Sequence, residues 1–183
     1  MHGTRHQGTT LIEVLSVVTI LGIIAGILTP NLIATGATAR QLALAASEIT
    51  NALHFAQAQA TRTGAVYGVE IEVAQQRLRL YRLDTASGSP VRDYTVYHPI
   101  DKKPYQIQFQ SRLFPANLNI ASINYRNVSG SFGFVEFAGT TGVPRYSQSG
   151  TTAMLQSGTV EVVYRNEKTT VTVQPMTGRT SVL

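Results

Sequence analysis

The side chains that could do chemistry are few, and most do not gather. His2, His6, His54 and His98 are the histidines. None belongs to an HExxH pair, a cluster with acids or an EF-hand loop, so the chain offers no metal site and no cofactor is expected. There is no cysteine, which closes the disulfide and thiolate-metal readings. No G-x-S-x-G elbow or P-loop is present, and neither His54 nor His98 has a triad setting. Asp84, Asp93 and Asp101 are spaced as turn or surface acids. The chain does not read as an enzyme.

Two groupings invite a functional reading. The first is late in the chain, where Arg145-Tyr146, Lys168 and Gly178-Arg179 lie in or beside loops. Cations beside an aromatic ring suit phosphate contact and base stacking. The plainer reading makes Gly178 a turn glycine and Arg179 a solvated turn residue. A formal charge of +5 permits attraction to nucleic acid, acidic glycans or anionic lipid without choosing among them. The second grouping is a single acid, Glu13, at the start of the almost wholly apolar run Leu11–Leu28, LIEVLSVVTILGIIAGIL. A carboxylate near the end of a membrane helix costs a few kcal/mol unless it is shallow, protonated or paired. A helix packed against copies of itself could pair it with the N-terminal amine of a neighbour, which would make Glu13 an assembly residue.

The elements that must hold these residues can be read in turn. At 183 residues the chain suffices for one domain plus an anchoring segment. A bilayer core needs about 20 apolar residues as helix, and no charged residue occurs from Val14 to Ala39. Three other readings compete: a secretory signal peptide cut near Ala37-Thr38-Ala39, an ordinary single-span anchor, and an interfacial Glu13 with no role. The run is longer than the usual signal core of about 7–15 residues, and an acid is out of place there. Pro30 lacks an amide hydrogen, so a kink or local loosening is expected. From Arg40 the pattern changes: Leu42, Ala46, Ile49, Leu53, Ala56 and Ala60 recur at alternating steps of four and three, a narrow apolar seam. Gln41, Ser47, Glu48, Asn51, Gln57 and Arg62 fall largely off that seam, and Gly64 is a plausible stop. Residues 10–63 would make one helix on the order of 80 Å long at 1.5 Å per residue.

Beyond Gly64 the chain reads as strands. VYGVEIEV at Val66–Val73 and RLRLYRL at Arg77–Leu83 form an expected hairpin. Further strands are expected at Val91–His98, Gln106–Gln110, Ile120–Tyr125, Gly133–Phe137, Thr159–Arg165 and Thr169–Gln174, the last two as a hairpin. Ala86–Pro90, Ser129–Gly133 and the long Gly139–Gly158 stretch read as turns or loops. So many short strands imply two packed antiparallel sheets.

The segment Gly8-Thr9-Thr10-Leu11-Ile12-Glu13-Val14 resembles the N-terminal signal of type IV prepilins and pseudopilins: a short polar leader ending in Gly, then an apolar core with Glu at the fifth position after cleavage. Phe137-x-x-x-x-Gly142 and the turn Thr177-Gly178-Arg179 are similar to the GspH/FimT family of minor pilins and pseudopilins. The resemblance implies an α+β fold, with a long helix packed on an antiparallel β-sandwich head. It divides the chain into a leader (1–8), a transmembrane assembly helix (9–39), an amphipathic continuation (40–64) and a β-rich head (65–183). It further implies cleavage between Gly8 and Thr9 by a prepilin peptidase, N-methylation at Thr9, and assembly through Glu13 and Pro30, the latter at the twenty-second mature position. The implied setting is the bacterial inner membrane, with the head in the periplasm. From there the subunit would join other pilins at or near the tip of a type II secretion pseudopilus or a type IV pilus. Thr9 stands where the family usually has Phe or Met. An alternative is a DNA-binding minor pilin for DNA uptake, with Arg145, Lys168, Gly178 and Arg179 as candidate contacts. The glycine-arginine-x-arginine motif of FimT-type pilins is incomplete here, since Gly178-Arg179-Thr180-Ser181 lacks the second arginine.

Overall fold

A computed structural model describes residues 11–86, 90–127, 130–148 and 151–183, apart from the side chains of 22, 24–35, 127, 130–132, 147, 148 and 151. The chain forms two compact units, Met1–Thr38 and Ala39–Leu183. Helix α1, Leu11–Thr63, begins in the first and ends in the second. In the first unit, Ser16 and Thr19 return their hydroxyls to the carbonyls of Ile12 and Leu15, at 2.7 and 2.8 Å. Their polar atoms are thus satisfied inside the helix. The helix runs on past Pro30 without a break in its helical backbone.

In the second unit the expected seam is the buried face. Leu42, Ala46, Ile49, Leu53, Ala56 and Ala60 are all at most 4% exposed, joined by Ala45 and Ala52. Five alanines in this face let strands approach the helix closely, while Leu42, Ile49 and Leu53 supply the bulk. Fully burying each of these three is worth about 1.5–3 kcal/mol. The helix ends where Gly64 closes its N–H onto the Ala60 carbonyl at 3.0 Å.

Among the described residues, twelve strands form two antiparallel sheets. They are β1 (Tyr67–Glu72), β2 (Arg77–Asp84), β3 (Val91–Asp93), β4 (Gln106–Gln108), β5 (Leu118–Asn127), β6 (Gly130–Phe132), β7 (Phe134–Phe137), β8 (Pro144–Gln148), β9 (Thr151–Met154), β10 (Ser157–Tyr164), β11 (Glu167–Val173) and β12 (Thr180–Val182). The first sheet has the order β3-β2-β1-β7-β8-β9, with β4 also pairing β2; the second has the order β12-β11-β10-β5-β6. Val69, Ile71, Leu78, Leu80 and Val135 of the first sheet and Ile120, Val160, Val162, Val171 and Val173 of the second share one core with the helix seam. Gln76 ties the two sheets together. Its side-chain amide donates to the Ile120 carbonyl at 3.0 Å, and its side-chain oxygen accepts the Ile120 N–H at 2.6 Å.

Both expected hairpins form, with Glu72 opposite Arg77 in the first and Tyr164 opposite Glu167 in the second. The expected Gln106–Gln110 strand ends at Gln108, and three larger expectations change. The Val91–His98 strand shortens to Val91–Asp93 because the Asp93 carboxylate takes the Thr95 N–H and hydroxyl, at 2.9 and 2.6 Å, and turns the chain. The Gly139–Gly158 stretch is no open loop: β8 and β9 pair within it, and β8 continues the first sheet beside β7. The Ser129–Gly133 break contains β6, which pairs β5.

Candidate assembly segment and head surfaces

Glu13 sits in the first turn of α1, the positive end of the helix dipole, where a carboxylate is favoured. Around it the helix is apolar on every side. Leu11, Ile12, Val14, Leu15, Val17, Val18, Ile20, Leu21 and Ile23 are each between 52% and 87% exposed. Soluble helices bury such side chains, so this surface is shaped for a partner or an apolar medium. Gly8 and Thr9 lie outside the described residues, as do the side chains of 22 and 24–35 in the expected transmembrane run, Pro30 among them. Among the described residues no helix is long and apolar enough to cross a membrane.

The Gly178 turn proves to be an attachment to α1. Gln57 Nε2 donates to the Thr177 carbonyl at 2.7 Å and to the Gly142 carbonyl at 2.9 Å. Both glycines have positive φ, +69° at Gly178 and +65° at Gly142. A Cβ on Gly178 would stand 2.6 Å from Gln57 Nε2, and one on Gly142 2.8 Å from Thr61 Cγ2. Each position therefore needs glycine twice over, for its dihedral and for its clearance. Within the turn, the Gly178 N–H bonds the Gln174 carbonyl and the Gln174 N–H bonds the Arg179 carbonyl, both at 2.9 Å. Thr180 Oγ1 meets His54 Nε2 at 2.8 Å. The two glycine-bearing loops of the family resemblance thus close on one helix residue that sequence reasoning had left off the seam.

The late cations do not converge. Arg145 lies in β8, in register with the buried Glu136 of β7. Tyr146 is buried and stacks on Phe134 with ring centroids 5.0 Å apart, so it presents no open face to a base. Lys168 enters β11 beside the β10–β11 turn and holds Glu161 at 3.6 Å. Arg179 lies past the other end of β11, so the two are separated by roughly 20 Å at about 3.3 Å per residue.

A polar layer that sequence reasoning missed covers part of the first sheet. Glu70 accepts from Arg79 at 3.0 Å, Arg92 at 2.7 Å and the Tyr94 hydroxyl at 2.6 Å, while Glu72 holds Arg77 at 2.6 Å and also Arg79. Arg92 lies 3.9 Å from the Phe134 ring centroid, and Arg79 lies 4.1 Å from that of Tyr94. Tyr81 donates to Glu136 at 3.1 Å. Burial, reinforced by the Glu136 charge, pushes the Tyr81 phenol well above its ordinary value. The alternating charges of VEIEV and RLRLYRL were the available signal, since Glu70 faces Arg79 and Glu72 faces Arg77 across the hairpin.

No family model matches the sequence, and no curated protein matches it either. The fold does match a solved structure of the minor pseudopilin EpsH from the type 2 secretion system of Vibrio cholerae. The TM-score is 0.50 at 16% sequence identity, covering 78% of this chain and 96% of that one. The fold is that of a minor pseudopilin. A crystal structure of the same Vibrio cholerae protein gives a TM-score of 0.49 at 14% identity, covering 79% and 96%. The pseudopilin fold accounts for a helix lodged against two antiparallel sheets, and it agrees with the GspH/FimT resemblance of the sequence.

Proposed function

We propose that this chain is a minor pilin or minor pseudopilin of the GspH/FimT type, a structural subunit of a type II secretion pseudopilus or type IV pilus. It is made as an inner-membrane precursor with its head in the periplasm, cleaved after Gly8 by a prepilin peptidase and methylated at Thr9. It then joins other pilins or pseudopilins at or near the tip of the filament. The observation that carries this reading is the pseudopilin fold, which spans nearly the whole of a solved minor pseudopilin.

The helix supplies the mechanism. Its exposed aliphatic surface from Leu11 to Ile23 packs first in lipid and then among neighbouring helices. Ser16 and Thr19 add no unmet polar group in either setting, since both bond to their own backbone. Glu13 neutralises the N-terminal amine of a neighbour, which turns a costly acid into a register mark. The test is Glu13→Val in the native host. The variant is expected to reach the membrane and lose its leader at Gly8, read by intact mass, yet be missing from sheared filaments. Normal incorporation would overturn the assembly role, and a mass showing cleavage near Ala39 would overturn the pilin reading itself.

A further inference from the structure

The head carries an exposed surface that none of the roles above uses. The loops Tyr97–Pro104 and Ser111–Pro115 meet the Leu44–Glu48 turn of α1 around a groove of about 460 Å³. Leu113, 76% exposed, and Leu44, 42% exposed, line it, and Ile100, 84% exposed, precedes the lining residue Asp101 in the first loop. These tips are held by built loops. In the first, the His98 N–H bonds the Lys103 carbonyl at 2.8 Å, and Asp101 Oδ1 accepts the Lys103 N–H at 3.2 Å. His98 also packs edge-on against Tyr105 at 4.7 Å. In the second, Phe114 is buried and stacks on Phe109 at 5.1 Å, which leaves Leu113 outside. Lys102, Lys103 and Arg112 flank the tips, all exposed.

We propose that this surface is a peripheral docking site for an anionic lipid bilayer. Aliphatic tips flanked by long cations are the chemistry of an interfacial membrane contact: the tips enter the acyl boundary and the cations meet lipid phosphates. Two acids also border the groove, Glu48 and the half-exposed Asp101, which lies 3.4 Å from His98 and accepts from the loop backbone. The three exposed cations Lys102, Lys103 and Arg112 outnumber them. Leu44 and Glu48 lie only a few residues after Ala39, where the head unit begins, so the groove is built on the part of the head that follows the apolar run. The inference rests on the membrane-anchored precursor proposed above. It adds that the waiting head is laid on the bilayer, and that leaving the membrane for the filament includes peeling these two loops away.

The chain has no tryptophan and no cysteine, so single probes are clean. Full-length Ile100→Cys and Leu113→Cys chains, labelled with an environment-sensitive fluorophore, are reconstituted in vesicles of equimolar phosphatidylglycerol and phosphatidylcholine or of phosphatidylcholine alone. A labelled Thr141→Cys chain reports a head loop outside the groove. The expected result is a several-fold rise with a blue shift at 100 and 113 in the anionic vesicles, and no rise at 141. Lys102→Glu combined with Lys103→Glu and Arg112→Glu should remove the rise, and about 0.5 M salt should weaken it. A water-like signal at 100 and 113 in a chain that floats with the vesicles overturns the docking site and leaves the anchor standing. A chain that does not float overturns the anchoring on which both rest. A rise that follows protein density instead of lipid charge marks contact between subunits and also overturns the proposal.

Discussion

The two halves of α1 are both rich in apolar residues, yet they face opposite fates. From Leu11 to Ile23 the large aliphatic side chains remain at least half exposed, whereas Leu42, Ile49 and Leu53 are at most 4% exposed. Their patterns explain the contrast. The first stretch is apolar all round, which no sheet could cover from one side. The second places its apolar residues on one narrow face and makes most of them alanine, which suits close contact with strands of the same chain. One helix thus carries two surface patterns, and the pattern changes from Arg40.

The sharpest way to break that division is to truncate one leucine in each half. Leu53→Ala removes fully buried bulk from the head core and should cost about 2–5 kcal/mol of head stability. Leu15→Ala changes a residue with no core around it and should stay within about 0.5 kcal/mol. Denaturant unfolding in detergent, followed by the β-sheet circular dichroism of the head, measures both. Equal losses would show that the two halves do not divide the work as described.

A smaller effect is expected where the second half of the helix holds the loops. Gly178→Ala forces a side chain into a left-handed backbone and against Gln57, at a cost of about 1–3 kcal/mol. Gln57→Ala strips two carbonyls of their shared donor and should cost roughly 1–3 kcal/mol. The residues are in contact, so the double variant should lose less than the sum of the two. Strict additivity in a double-mutant cycle would mean that the glycine and the amide do not share one clearance.

The seam was legible because helix periodicity is local: each of its six residues could be predicted from its neighbours and each proved buried. Glu13 stood out for the same reason, as one acid in a short apolar window. Gln57 was illegible because its partners lie 85 and 120 residues away along the chain, and nothing local separates a clamping amide from a solvated one. The β8–β9 hairpin was missed because Gly, Ser and Thr mark loops by composition, while pairing of β8 with β7 and β9 overrode that preference. The late cations illustrate the converse. They stand within 35 residues of one another in sequence, but sheet register puts Lys168 at the start of β11 and Arg179 past its other end.

The smallest expected effect sharpens the contrast through pH. The chain has no tyrosine before Tyr67, so phenol ionisation can act only on the head. Tyr105, packed on Phe55 with centroids 5.3 Å apart, has its phenol pushed up to about 12, first by burial and then by the Glu48 charge. The folded head therefore keeps this proton over a range in which the unfolded chain releases it. The associated stability is fully present below pH ~10, the ordinary phenol value, and is lost as pH rises towards about 12. Tyr81 and Tyr125 are also raised by burial and add to the same loss. Head stability should accordingly fall across this window, and Tyr105→Phe, which has no proton to lose, should fall less steeply than the parent. Helical circular dichroism from the detergent-held first half should stay flat over the same range. If the slope were the same with and without the Tyr105 hydroxyl, its raised phenol would have no part in the alkaline weakening, and that loss would belong to the more deeply buried tyrosines of the sheets.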